Sequence, residues 1–231
     1  MRTETDAPIE PSPASRVPLT KDRVLRAAID LADTGGIESL SMRKLGGALG
    51  VEAMSLYNHA RGKEDILDGI VDVILGEIDP GPLPPEWKGA LRRTILASRQ
   101  VLLRHPWAPK VIETRTNPGP AMLAHVERVI GTLREGGFSV DMTHHAIHVL
   151  GSRMFGFTQD PWDMSGGTPP TPEVAALLAR QMTERYPHVT EMAMAVSHDG
   201  GLGGCDDDVE FAIGLDLILD GLERLRGPAT A

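Results

Sequence analysis

Residues 41–59 constrain this chain more than any other stretch. Two short runs with helical apolar spacing, 42–49 and 52–58, are separated by a tight turn around Gly50. Ser41 stands ahead of the first run as a helix N-cap, and Leu45, Ala48 and Leu49 are placed on its inner face. Gly50 adopts a left-handed backbone cheaply, which reverses the chain sharply. The second run opens on Glu52, an acid suited to the positive end of a helix. Two short helices about a glycine turn describe a helix-turn-helix. By spacing alone the same pattern fits an αα-hairpin that never meets nucleic acid.

The flanking sequence extends the helical pattern. Thr20 caps a first run with Val24, Leu25, Ala28, Leu31 and Ala32 inward, ended by Gly35 and Gly36. A fourth run, 63–76, turns Ile66, Leu67, Ile70, Val73 and Ile74 inward. Pro80, Pro82, Pro84 and Pro85 then mark a domain boundary. Beyond them the spacing predicts helices over 86–104, 108–115, 120–135, 141–157, 171–186 and 206–226, with loops at 160–170 and 199–204 and a short resumption after Pro187. No run alternates with period two, so the fold is expected to be all-α. The expected layout is a disordered arm over 1–19, a helix-turn-helix domain over 20–79 and a helical ligand-binding and dimerisation domain over 80–231. Arg2 and Arg16 in the arm are placed to reach a minor groove, or belong to a passive tail.

Charge places a limit on the DNA reading. The net charge is −9, whereas phosphate contacts need local cations. Over 20–65 the cations Lys21, Arg23, Arg26, Arg43, Lys44, Arg61 and Lys63 are cancelled by Asp22, Asp30, Asp33, Glu38, Glu52, Glu64 and Asp65. Attraction to DNA must therefore come from placement on one face, not from bulk charge. Cys205 is the single cysteine, which excludes an intrachain disulfide and a cysteine-rich zinc site. No apolar run is long enough to span a bilayer and no secretion signal is evident, so the expected location is cytoplasmic.

The stretch G-I-E-S-L-S-M-R-K-L-G-G-A-L-G-V-E-A-M-S-L-Y-N-H-A-R-G-K-E-D-I-L-D resembles the N-terminal domain of the tetracycline-repressor (TetR) family. Its marks are S-M-R-K-L, the A-L-G-V turn, L-Y-N-H, and the following glycine-lysine and I-L-D. Beyond Trp87, the L-L-R-H-P-W-A-P-K-V segment and the E-G-G-F-S-V turn are similar to the C-terminal domain of the tetracycline repressor's own subgroup. The resemblance implies a homodimeric, all-helical repressor that leaves its DNA when a small molecule binds.

The predicted reading surface comprises Ser41, Met42, Arg43, Glu52, Ala53, Met54, Ser55, Tyr57, Asn58, His59 and Lys63. Arg43 suits guanine, Glu52 a cytosine amino group, and Ala53 and Met54 thymine methyls. Ser55 suits a phosphate or a base edge, and Lys63 a phosphate helped by helix-start amides. Tyr57 and His59 stand where the resemblance implies backbone contacts. Asn58 replaces the larger aromatic often found there. Leu45, Leu49, Val51 and Leu56 are assigned to the core. Gly46 and Gly47 lie mid-helix, each costing about 1 kcal/mol relative to alanine.

In the C-terminal half, the apolar residues of 206–226 exceed one face. This predicts burial on more than one side, in a dimer built with 141–157. Two reading heads so joined match a palindromic operator. The resemblance places an effector among His105, Trp107, Met122, His125, His148, Met154 and Phe155. Ile112 and Asp79 stand where the tetracycline repressor has its metal-binding and drug-contacting histidines, so magnesium-tetracycline is not expected. His144 and His148 share a helix face, but no metal site and no cofactor are assigned. Two other readings are a helical small-molecule-binding or adaptor protein with weak or lost DNA binding, and a helical enzyme. For the enzyme no nucleophile elbow or triad spacing is found.

Overall fold

A computed structural model describes residues 18–155, 171–196 and 206–226. Residues 1–17 of the N-terminal arm, with Arg2 and Arg16, both predicted loops and Cys205 lie outside them. The described residues form eleven α-helices and one 3₁₀ turn, with no strand. They divide into two compact units, residues 1–70 and 71–231, with the boundary inside one continuous helix.

The first unit holds α1 (Lys21–Gly35), α2 (Met42–Leu49), α3 (Ala53–Leu56) and the first half of α4 (Lys63–Gly76). The Thr20 hydroxyl accepts from the Arg23 amide at 3.2 Å, capping α1 as its sequence predicts. Val24, Leu25, Ala28, Ala32, Leu45, Leu56, Ile66 and Ile70 make its core. Gly69 lets α4 approach α1, since a Cβ there would stand 2.6 Å from a Leu25 methyl.

The second unit contains the rest of α4, then α5 (Trp87–Arg104), α6 (Ala108–Glu113), α7 (Pro120–Glu135), α8 (Val140–Phe155), α9 (Pro172–Arg185), α10 (Pro187–Val196) and α11 (Asp207–Leu225). Its core draws Trp87, Leu91 and Ile95 from α5 and Val129 and Leu133 from α7. Ala146 and Leu150 come from α8, and Phe211, Leu215, Leu219 and Leu222 from α11. Trp87 meets Phe138 edge-on, with centroids 4.7 Å apart. The start of α7 is capped from another helix: Asp72 on α4 accepts from the Ala121 amide at 2.7 Å.

Helices α5 and α11 run antiparallel under a ladder of ion pairs. Lys88 pairs with Asp220, Arg92 with Asp216 at 2.6 Å, and Arg99 with Asp208 at 3.1 Å. The Lys88 ammonium donates a hydrogen bond to Asp220 and holds that carboxyl below the usual carboxylate range. The hydrogen bond from Arg92 to Asp216 raises the guanidinium further above its ordinary value.

The sequence predicts burial of α11 on more than one side in a dimer; among the described residues of one chain, one face is covered. Phe211, Leu215, Leu219 and Leu222 are buried, while Ile213, Leu217 and Leu225 are 50%, 68% and 64% exposed. Helices α5 and α8 pack on α11 without enclosing it.

Candidate functional site

The reading head is built outward from two leucines. Leu45 of α2 and Leu56 of α3 are both fully buried. They anchor the two short helices, and the opposite sides, with Arg43 and Lys44 on α2 and Met54 on α3, face outward.

The turn between the helices has the geometry its glycine predicts. Gly50 sits at φ 67°, ψ 32°, and its amide caps α2 on the Gly46 and Gly47 carbonyls. Val51 then donates to the Gly46 carbonyl at 2.9 Å. Of the predicted inner face of α2, Leu45 alone is fully buried, and Gly46 is buried in place of Ala48. Ala48 is exposed and Leu49 half-buried. Gly46 is buried by close approach of the turn: a Cβ on it would stand 2.9 Å from the Val51 carbonyl oxygen and 3.2 Å from the Ala53 backbone. A Cβ on Gly47 would meet nothing within 4 Å. The two glycines thus do different things, and only Gly46 is required by the turn.

The third helix is shorter than the predicted 52–58. Only Ala53–Leu56 is α-helical. Around it the bonding tightens to three-residue spacing: Ser55 donates to Glu52, Tyr57 to Met54, Asn58 to Ser55 and His59 to Leu56. The segment is one α-turn inside a 3₁₀-like coil.

The predicted reading residues fall into three groups. Arg43, Glu52, Met54, Tyr57, Asn58 and Lys63 are exposed, Met54 at 75%. Met42, Ala53, Ser55 and His59 are half-buried. Ser41 is also half-buried, and its hydroxyl accepts from the Lys44 amide at 3.3 Å, so its side chain caps α2. Among the described residues Arg43, Lys44 and Lys63 make no ion pair that would have to break before they met a phosphate. Ahead of Lys63, the Asp65 carboxylate accepts from the Arg61 amide at 2.9 Å, occupying one donor at the approach to α4. The exposed Lys44, which stands beside Arg43, was absent from the predicted reading set.

In the second unit, His105 and Trp107 are buried together at the α5–α6 junction, with ring centroids 6.1 Å apart. The His105 imidazole lies 3.6 Å from the Glu77 carboxylate. His125 of α7 is buried, and its Nδ1 has no hydrogen-bond partner among the described residues. Burial, and secondarily the Arg128 charge, push its imidazole below the ordinary histidine value. Met122, Met154 and Phe155 are half-buried, Met154 against the core. His148 is exposed on α8. Ile112 is buried, and Asp79 caps its own turn by accepting from the Gly81 amide.

Comparison with known proteins agrees with this architecture over both units. A family model described as bacterial regulatory proteins, tetR family, matches residues 24–70. A second, described as tetracyclin repressor-like, C-terminal domain, matches residues 81–226. The HTH-type transcriptional repressor DrrR1 of Streptomyces coeruleorubidus is 31% identical, over 93% of this chain and 81% of its own length. An HTH-type transcriptional regulator of Saccharopolyspora erythraea is 40% identical over 52% of this chain, which spans about half (51%) of that relative. The crystal structure of a possible TetR family transcriptional regulator from Streptomyces coelicolor A3(2) aligns with a TM-score of 0.71 at 27% identity. It covers 89% of this chain and 100% of that one. The chain belongs to the TetR family of ligand-responsive, DNA-binding transcriptional repressors.

Proposed function

We propose that this chain binds a palindromic DNA operator as a homodimer through residues 20–79, and releases it when a small molecule occupies residues 80–231. The observation that carries the reading is the set of outward side chains held on the buried Leu45–Leu56 anchor. Arg43 donates to guanine, Glu52 accepts from cytosine, and Ala53 and Met54 touch thymine methyls. Ser55, Tyr57, Asn58, His59 and Lys63 hold the sugar-phosphate backbone, and Ser41 and Met42 shape the start of α2.

Dimerisation supplies the second head. The exposed Ile213 and Leu217 of α11 and Val149 of α8 are the side chains that a partner would cover. The effector is a largely apolar molecule with one hydrogen-bonding group, met by His125, whose buried Nδ1 supports that polarity. His105, Trp107, Met122, Met154 and Phe155 complete the candidate lining. His148, though exposed, remains a candidate from the sequence. Ile112 and Asp79 speak against magnesium-tetracycline. Release follows if the effector prefers a conformer whose two heads are wrongly spaced. No catalysis and no resident cofactor belong to this reading.

The test is selection of duplexes from a random library, then footprinting with the wild type and Arg43→Ala. A palindromic footprint weakened in the variant supports the reading. A chain that selects no sequence, and whose weak duplex binding lacks a steep salt dependence, is an adaptor instead.

A further inference from the structure

Helix α8 carries a stripe that neither the operator nor the effector reading uses fully. Asp141, His144, His145 and His148 stand at i, i+3, i+4 and i+7, which places them along one side of the helix. All four are exposed. The stripe lies opposite Thr143, Ala146 and Leu150, the residues α8 buries in its own unit. The His144 and His148 rings are 4.6 Å apart between centroids, inclined at 77°. The His145 Nε2 lies 3.7 Å from the Asp141 carboxylate, so that pair is engaged with itself.

Imidazole is a preferred ligand for zinc, nickel and copper ions, and two histidines four apart on one helix face are spaced to share an ion. Among the described residues no three His, Cys, Asp or Glu side chains gather to hold a metal. The described part of α8 therefore offers two ligands, whereas a closed tetrahedral site needs four. A two-fold dimer repeats on the second copy whatever α8 presents outward.

We propose that His144 and His148 are half of a divalent transition-metal site that closes between two copies of this chain, with zinc bound by four imidazoles. Asp141 adds negative charge beside the site through its contact with His145. The inference rests on the dimeric reading above. The ion links the two α8 helices and makes the dimer metal-sensitive.

The experiment uses the untagged full chain, stripped with EDTA, then titrated with zinc against a chromophoric competitor while sedimentation follows its mass. The expected result is one zinc per two chains and a tighter dimer. Loss of a mere second-shell partner weakens metal binding about 10–100-fold, so His144→Ala or His148→Ala must weaken it at least that much. His145→Ala retains the site. All three substitutions are on an exposed face, and circular dichroism checks their fold. A metal-free dimer that takes up no zinc, or takes one ion per chain, or binds equally in His148→Ala, overturns the inference and leaves the dimer intact. A chain monomeric with and without zinc overturns both.

Discussion

The paired glycines of α2 offer a sharp test of how the reading head is assembled. Gly47 is exposed, and an added Cβ would meet nothing within 4 Å. Gly47→Ala should therefore gain the helix propensity difference of about 1 kcal/mol. Gly46→Ala gains the same propensity but puts its Cβ 2.9 Å from the Val51 carbonyl oxygen and 3.2 Å from the Ala53 backbone. Those are main-chain atoms of the turn and of α3, with no side chain to swing aside. Overpacking of this kind costs about 1–3 kcal/mol, so the net change should fall between roughly zero and a 2 kcal/mol loss. Urea denaturation followed by far-ultraviolet circular dichroism measures both variants against the wild type. The second readout is titration of a selected operator duplex. Gly47→Ala should bind as the wild type does. Gly46→Ala should lose about tenfold or more, because each 1.4 kcal/mol of misplacement is a factor of ten. Equal stabilisation of both variants, with unchanged DNA binding, would refute the claim that α3 rests on Gly46.

Other consequences are measurable too. Arg43→Ala should cost about 1–3 kcal/mol on the operator and relax one base position, whereas Lys63→Ala should weaken all sequences alike and lower the salt slope by about one. Both are read by duplex titration across a salt series, and the reverse pattern would exchange their assigned roles. The folded chain binds the His125 proton less readily than the unfolded chain does. Its contribution to stability is therefore full above about pH 6.5 and is lost as pH falls below that. Urea midpoints at pH 7.5 and 5.5 should converge in His125→Met, and an unchanged pH dependence would count against the buried neutral imidazole. Leu217→Glu should leave helicity intact while shifting sedimentation towards monomer. A variant as dimeric as the wild type would place the interface elsewhere.

Much of this was legible in the sequence, for reasons visible residue by residue. The bounds of α4 and α7 match the predicted 63–76 and 120–135, because long amphipathic runs with punctuated ends leave little choice. The length of α3 was not legible. Local spacing cannot distinguish α from 3₁₀ winding when the helix lasts a single turn. Nor could the sequence distinguish Gly46 from Gly47, since what presses on each glycine comes from beyond the helix. The candidate histidines make the same point: His105 and His125 are buried and His148 is exposed, a division set by tertiary packing.

The ladder between α5 and α11 restricts how the second unit can move. The Lys88 and Arg92 pairs are roughly half exposed to solvent, so each is worth only about 0–1 kcal/mol. Their effect is on alignment, like the teeth of a vernier. A slip of α11 by one helical turn in one direction would set Lys88 opposite Arg224, and in the other Arg92 opposite Ala212. Each displaced position re-forms one pair and breaks the others, so the observed register is the one that keeps all three. Helices α5 and α11 should therefore travel as one rigid body when an effector binds. The compliance that frees DNA must lie in other parts of the protein.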